Sequence, residues 1–301
     1  LRKKAGLGVL RFTPFGNSLT LDFALDAIEK MQLGADEDPD FLCLSFSATD
    51  YCAHQFGVHA IETEDIYLRL DADLARLFDY LDKKVGRENV VVFLTADHGG
   101  GETPIHQQAL NIPAGVYAES KLDSTLNALI NRTLLSGGAK TRDFIHEVSN
   151  QQVWFDRAVL DSVKVPLDAV IRLTTNYLRK QTGVYAAFSQ QELMQLPDDY
   201  PYVSLLRKGI HPRRSGDVLF QLDPGWHPDD VTFGAGGATH GSPYAYDTHV
   251  PLLWYGNGIR AGARTYRATA VSDIAPTLAA LLRISEPNAS TGRVIEEALK
   301  D

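Results

Sequence analysis

The chain has 301 residues, of which 44% are hydrophobic and 22% charged, and its formal net charge is −9. This composition predicts a folded globular protein with a large core and excludes a disordered chain. Because no Lys/Arg-rich run occurs, a nucleic-acid-binding surface is not expected, although bound metal ions would still permit an anionic substrate. No apolar run reaches the length of a membrane span.

The cysteines and the first residue add two narrower expectations. Cys43 and Cys52 are too few, and too apolar in their surroundings, for a disulfide framework or a cysteine metal site. The chain begins at Leu1 without a signal-like segment, so we expect a processed or truncated start.

A helix is predicted over residues 19–33, with Thr20 or Ser18 as its cap. The next elements in chain order form a strand–helix–strand pattern. Residues 41–47 (FLCLSFS) and 90–96 (VVVFLTA) are apolar without alternation, which is typical of strands buried on both faces.

Between these two strands, apolar residues recur at three-and-four spacing from about residue 62 to residue 84 and predict an amphipathic helix. Its start is acidic and its end, before Gly86, is basic, as the helix dipole favours. The pattern predicts two parallel strands joined by a crossover helix, so that the loops after both strands meet at one edge of the sheet.

The remaining elements complete an α/β pattern. Helices are predicted over 121–134, 165–183 and 272–284, and strands over 183–189, 217–225 and 250–256. Ser189 is expected to cap a short helix, Ser272 or Asp273 to cap the last one, and the Gly-rich segment 233–249 to form a long irregular loop.

The expected fold is therefore α/β, a largely parallel sheet sandwiched by helices. Length and composition alone fit one large α/β domain or two smaller ones.

Two Asp/His pairs follow the two strands of the crossover unit. Asp50 and His54 come after the first strand, and Asp97 and His98 come directly after the second. Taken singly, each Asp is best interpreted as a cap and each His as a satisfied polar group. Two such pairs at equivalent loops instead favour a metal site, and carboxylate and imidazole ligands suit Zn²⁺. Four ligands are too many for one open catalytic zinc, which suggests a two-metal site completed by residues elsewhere.

Three motifs in order, TDYCAHQFG, TADHGG and THGSPYAYDTHVPLLWYG, resemble the metal-binding motifs of the alkaline phosphatase superfamily. The closest resemblance is to the threonine-nucleophile alkaline phosphatases near the type I phosphodiesterase/nucleotide pyrophosphatases. It implies two zinc ions, the first held by Asp50, His54 and His240. The second would be held by Asp97 and His98, together with an Asp and the nucleophilic Thr. We expect all five residues to converge in one pocket at the carboxyl edge of the sheet.

The resemblance further implies phosphate monoester hydrolysis, a phosphate ester substrate, and a periplasmic or secreted location. It also implies a single domain over residues 1–301, in which residues 103–230 form peripheral helices and a smaller excursion. It places the nucleophilic Thr upstream of this chain, so the fold is expected to be incomplete at its amino-terminal side. Thr13 and Thr20 are interpreted as structural. We expect the chain alone to bind zinc weakly or at one site and to hydrolyse an aryl phosphate far more slowly than the intact enzyme.

Alternative functions stay open at this point. They are phosphodiesterase or nucleotide pyrophosphatase activity, sulfatase activity, which would need a formylglycine motif, and a catalytically silent metal-binding fragment. His249 is expected in core packing or a backbone hydrogen bond, with orienting a metal ligand as the alternative, and His106 at the surface or the substrate rim. Trp226, Tyr244 and Tyr246 are expected in aromatic packing under a long loop, with lining the mouth of the site as the alternative. The natural substrate and the oligomeric state do not follow from the sequence.

Overall fold

The computed structural model describes residues 6–135, 140–229 and 237–300, so the first part of the predicted Gly-rich loop, 233–236, lies outside the described residues. The described helices are α1 (Pro14–Met31), α2 (Ala48–Phe56), α3 (Ile61–Lys84), α4 (Pro104–Ala109), α5 (Leu122–Leu134), α6 (Arg157–Val163), α7 (Leu167–Leu178), α8 (Gln190–Gln195), α9 (Val203–Lys208), α10 (Ala245–Thr248) and α11 (Ile274–Leu282). The strands are β1 (Val91–Thr95), β2 (Gly115–Tyr117), β3 (Ile145–Ser149), β4 (Gln152–Phe155), β5 (Val184–Ser189), β6 (Val218–Leu222), β7 (Trp226–Pro228) and β8 (Leu252–Gly256).

The chain divides into two compact units. Unit 1 comprises Leu1–Cys52, His59–Gly99 and His249–Asp301, and unit 2 comprises Ala53–Val58 and Gly100–Thr248. The single domain over 1–301, with 103–230 as an excursion, stays a prediction.

In unit 1, helices α1 and α3 pack against each other through apolar side chains. Leu21 and Ile28 of α1 and Leu77 of α3 form one buried cluster. Ser18 donates a hydrogen bond of 2.7 Å to Asp73 of α3, which ties the polar edges of the two helices together. The predicted helix over about 62–84 is thus confirmed, with Glu62 and Glu64 in the first turn of α3 and Lys83 and Lys84 in its last turn.

The start of α1 differs from the prediction. The helix begins at Pro14, with Thr13 at the N-cap position, because proline's fixed φ angle and missing N–H suit the first helical position. Ser18 and Thr20 therefore lie inside α1, and the prediction that either one caps it is wrong. Each instead bonds back to a carbonyl four residues earlier.

The strand predicted over 41–47 is not formed, although the strand predicted over 90–96 is confirmed as β1. Within unit 1, β1 pairs antiparallel with β8, Phe93 lying opposite Trp254. Residues 41–46 contact their neighbours through side chains, since the ring of Phe41 stacks on Phe93 at 6.5 Å. The expected parallel pairing of the crossover unit is therefore absent from the described ladders, because an apolar run does not specify the strand that it pairs with.

Unit 2 contains an antiparallel sheet with the strand order β3-β4-β6-β5 and a parallel pair, β2 and β7. Helices α5, α6 and α7 contribute to its core, whose largest fully buried side chains include Phe144, Leu126, Ile130, Leu160 and Leu178. These elements confirm the helices predicted over 121–134 and 165–183 and the strands over 183–189 and 217–225. Ser189 caps α8 as predicted, accepting a hydrogen bond of 3.0 Å from the Glu192 amide.

The β3–β4 hairpin was not predicted from the sequence. Its two-residue turn consists of Asn150 and Gln151, both with positive φ angles of 49° and 57°. Two such residues form the turn that matches the twist of a hairpin. An Asn-Gln pair is a weaker signal of this turn than Asn-Gly, which explains why the hairpin was missed.

Helix α11 follows a short 3₁₀ turn, Val271–Asp273. Asp273 is buried and accepts hydrogen bonds of 3.0 Å from the amides of Ala270 and Arg293. Asp273 thus closes the turn before α11. It stands at the N-cap position of α11, as predicted, but its side chain makes no capping hydrogen bond to that helix.

Both cysteines are free thiols. Cys43 is exposed, whereas Cys52 is buried beside Thr63, and burial raises the pKa of its thiol. None of the described helices has the length and hydropathy required to cross a membrane.

The β1–β8 pair should open locally more readily than the four-stranded sheet β3-β4-β6-β5. The β1–β8 pair has only two strands and exposes Leu253 by 61%, whereas β6 has a strand on each side and buries Val218 and Phe220. Since local opening follows the amount of buried apolar contact, amide hydrogens of β1 and β8 should exchange at least tenfold faster than those of β6. Hydrogen exchange followed by mass spectrometry tests this, and equal protection of the two sheets would contradict it.

Candidate metal centre and adjoining cavity

Helix α2 carries Asp50 and His54 one turn apart, on the same helical face. Ala48 and Cys52, also four residues apart, are buried at 5% and 1% exposure. Both candidate ligands were predicted from the sequence, but the helix that carries them was not. The paired four-residue spacings, Ala48 with Cys52 and Asp50 with His54, were the signal for it.

The backbone of Ala238 holds the ring of His54. The Nδ1 atom of His54 lies 2.8 Å from the Ala238 carbonyl oxygen, which can only accept, so Nδ1 carries the proton. The Ala238 amide donates in turn to the carbonyl of Ala53, at 3.1 Å. These bonds fix the rotation of the imidazole and place the proton on Nδ1, so that Nε2 is the nitrogen that can accept.

His240 lies two residues beyond Ala238 and meets His54. Their Nε2 atoms are 3.1 Å apart, and the ring centroids are 5.0 Å apart. A carboxylate oxygen of Asp50 completes a group in which all three ligand atoms lie within 4.8 Å of one another. One carboxylate and two imidazoles with a fourth position open are a donor set that fits a catalytic zinc ion. The residues present therefore fit the metal that the sequence predicted.

Asp97 and His98 follow β1, as predicted, but they are not part of that group among the described residues. The Asp97 side chain is 88% exposed, and its Oδ2 lies 3.5 Å from Nε2 of His98. The Nδ1 atom of His98 lies 2.8 Å from the carbonyl oxygen of Gly99. The convergence of all five predicted ligands in one pocket stays a prediction.

Unit 2 also contains a cavity of about 340 Å³, and His240 belongs to its lining. Its aromatic wall includes Trp226, Tyr244 and Tyr246. Tyr244 is buried and donates a hydrogen bond of 2.7 Å to the Leu222 carbonyl, and its ring centroid lies 5.6 Å from that of Tyr246. The expected aromatic packing is present, and the same rings face a cavity.

His227, on β7, was assigned no role from the sequence. It is 3% exposed, and neither ring nitrogen has a hydrogen-bond partner among the described residues. Burial lowers the pKa of His227 from 6.5 to about 4, with a smaller opposing effect of Glu102, so the ring is neutral at physiological pH. His106 lies on α4 at the surface, as expected, whereas His249 is exposed and the expected core packing is not found.

Comparison with known proteins gives a family match over most of the chain. The family described as type I phosphodiesterase / nucleotide pyrophosphatase matches residues 9–242. Alkaline phosphatase PafA of Elizabethkingia meningoseptica is 38% identical over 296 residues, which are 98% of this chain and 52% of that protein. Alkaline phosphatase PhoV of Synechococcus elongatus is 40% identical over 288 residues, 95% of this chain and 50% of that protein.

Solved structures give the same result for the fold. The crystal structure of wild-type alkaline phosphatase PafA matches with a TM-score of 0.90, 38% identity, and coverage of 97% of this chain and 54% of that one. Human ectonucleotide pyrophosphatase / phosphodiesterase 5 matches with a TM-score of 0.66 at 15% identity, covering 95% and 65% of the two chains, which shows the fold alone. The predicted α/β, alkaline-phosphatase-like fold is confirmed. The chain spans about half the length of the alkaline phosphatases that it matches.

His227 should make stability depend on pH. Its pKa is lower in the folded protein than in the unfolded chain, so the unfolded state binds more protons as the pH falls from about 6.5 to about 4, and folding weakens. We expect the wild type to lose up to roughly 3 kcal/mol over this range relative to His227→Phe, which cannot protonate. Urea unfolding at both pH values measures the difference. Parallel pH profiles of the two proteins would show that His227 is not buried in the neutral form.

Proposed function

This chain belongs to the type I phosphodiesterase / nucleotide pyrophosphatase family, and from that premise we propose that it supplies the metal centre of an enzyme that hydrolyses phosphate monoesters. The observation that carries the proposal is the group of Asp50, His54 and His240, whose ligand atoms lie within 4.8 Å of one another. Its relatives PafA and PhoV are alkaline phosphatases.

The proposed metal is zinc, bound by Asp50, His54 and His240. When bound, zinc supplies positive charge that stabilises the oxygens of a phosphate ester as the bond to the leaving group breaks. Asp50 contributes the negative charge of the ligand set. The Ala238 carbonyl holds His54 in the tautomer whose Nε2 accepts, so the ligand needs no change of tautomer before binding.

A second zinc ion at Asp97 and His98 is the finer part of the proposal. Two protein ligands are fewer than a catalytic zinc requires, so this site needs additional groups. Asp97 is well exposed, which leaves its carboxylate accessible to an ion. We therefore expect the first site to bind zinc more tightly than the second.

We also propose that the nucleophile is a threonine hydroxyl outside these 301 residues. Thr13 and Thr20 each donate a hydrogen bond to a backbone carbonyl, that of Leu10 at 2.9 Å and that of Gly16 at 3.1 Å. These bonds support their structural interpretation. In the proposed reaction the threonine oxygen attacks phosphorus, the ester oxygen leaves, and water then cleaves the phosphothreonine.

Phosphodiester or nucleotide pyrophosphate hydrolysis is the second candidate, favoured by the family match over residues 9–242. Activity against paired mono- and diesters of the same aryl alcohol separates the two functions. A periplasmic or secreted location remains part of the proposal and is supported by the resemblance to the alkaline phosphatases.

Zinc binding tests the metal centre directly. His54→Ala and His240→Ala should each weaken zinc binding at the tighter site at least tenfold, because two ligands remain where three were present. His146→Ala, which changes an exposed histidine on β3, is the matched control and should leave the affinity unchanged. Competition with a chromophoric chelator measures the affinity. If His54→Ala binds zinc as tightly as the wild type, the assignment of the site is wrong.

Turnover of an aryl phosphate tests the nucleophile. The chain alone should act orders of magnitude more slowly than the intact parent enzyme, since covalent catalysis requires a threonine that it lacks. Thr13→Ala and Thr20→Ala should not change the residual rate. Fast turnover by the chain that either substitution abolishes would show that the nucleophile lies within it.

A further inference from the structure

Gly101 packs against the segment that carries His240. The amide of Gly101 donates a hydrogen bond of 2.9 Å to the carbonyl of Thr239, the residue directly before His240. Gly101 is buried and Thr239 is 9% exposed, so water has little access to compete for this bond. A backbone bond next to a ligand restricts the positions that the ligand's ring can take.

The residues that follow Gly101 are anchored on helix α4. The carbonyl of Glu102 accepts a hydrogen bond of 3.0 Å from Nε2 of Gln107. Thr103 is 7% exposed and caps α4, because its hydroxyl accepts from the His106 amide at 3.4 Å. Gly101 therefore lies next to a helix start whose backbone is held, and the Thr239 carbonyl is bonded to an anchored donor.

The space at Gly101 suits a hydrogen atom and not a methyl group. A Cβ atom on this residue would lie 3.2 Å from Nε2 of His227 and 3.2 Å from Cε2 of Tyr246. Both distances are shorter than the roughly 3.5–4.0 Å at which nonbonded atoms pack best. The ring of His227 is 3% exposed and has little room to move. A side chain at position 101 must therefore displace the backbone that bonds to Thr239, or the rings behind it.

The neighbouring residue Gly100 shows that the requirement is for space. Neither glycine has a φ angle in the left-handed region, so backbone conformation does not demand glycine at either position. A Cβ atom on Gly100 would meet only Cγ1 of Val58, at an ordinary contact distance of 3.4 Å. The close approach of backbone to side chains is thus specific to Gly101.

We propose that Gly101 is a positioning residue of the metal centre: because it carries no side chain, its amide reaches the Thr239 carbonyl and holds His240 beside His54. The description of this group as a metal centre rests on the proposed function. The position of His240 does not, since its Nε2 lies 3.1 Å from that of His54 without any metal.

Zinc affinity is the first readout, measured by competition with a chromophoric chelator. Gly101→Ala should weaken binding at the tighter site at least tenfold, because His240 is displaced from the other two ligands. Gly100→Ala is the matched control, which adds the same methyl group one residue earlier and should stay within twofold of the wild type. A purely structural role of Gly101 would lower resistance to unfolding and leave the zinc affinity of the folded protein unchanged.

Nitrogen-15 NMR of the histidine rings, recorded with a chelator present, is a second readout that needs no metal. The signals of His54 and His240 are assigned by their loss in His54→Ala and His240→Ala. Both signals should shift in Gly101→Ala and keep their wild-type positions in Gly100→Ala.

A double variant keeps the test decisive if Gly101→Ala does not fold. Adding Tyr246→Ala removes one of the two close contacts, at a residue that is 38% exposed, and the comparison is then made against Tyr246→Ala alone. Circular dichroism establishes which variants are folded.

The proposal is overturned if the His54 and His240 signals of a folded Gly101→Ala protein match those of its reference. Equal zinc affinity of the two proteins would overturn it as well. A wild type that binds no zinc would refute the proposed function instead, and the histidine signals would still decide the role of Gly101.

Discussion

The candidate metal centre depends on the two hydrogen bonds that the backbone of Ala238 makes. Its amide donates to Ala53 and its carbonyl accepts from His54, so both backbone polar groups of this residue are held. The adjoining residue is held as well, because the Thr239 carbonyl accepts from the Gly101 amide at 2.9 Å. His240 belongs to a stretch without regular structure, and these bonds give it a defined position that a free loop would not.

This arrangement links the position of one ligand to the protonation of another. The carbonyl that positions the loop also decides which nitrogen of His54 carries the proton, and therefore which nitrogen is left to bind a metal. Removing that acceptor would affect both the loop and the tautomer. Unit 2 further carries the cost of burying His227 without a partner among the described residues, which its apolar core around Phe144 and Leu126 offsets.

Elements with a strong period could be predicted from the sequence, and short ones could not. The spacing of apolar residues in α3 identified a helix of 24 residues almost to its ends. The run 41–47 has no period, and an apolar run without period describes a strand and a side-chain-packed segment equally well. Helix α2, with nine residues, shows only two four-residue spacings, which is a weak signal, and it was missed although its two polar ligands were found.

For the site, residue types and motif order were sufficient to name Asp50, His54 and His240, which the fold brings together. The sequence could not supply the Ala238 contacts, because a backbone carbonyl has no residue-specific signature. Nor could it identify His227 as a buried side chain without a partner among the described residues, because that property exists only after folding. The positions of Asp97 and His98 relative to the other ligands remain a prediction from the motifs.

The two thiols, Cys43 and Cys52, differ in their reactivity towards thiol reagents. Cys52 sits in the buried face of α2 at 1% exposure with a raised thiol pKa, so little reactive thiolate is present there, whereas Cys43 is exposed in the segment before α2. A maleimide dye should therefore attach at a single position in the folded protein without any engineered cysteine. The second thiol becomes available as α2 opens, so the number of labels per chain reports directly on the integrity of the helix that carries Asp50 and His54.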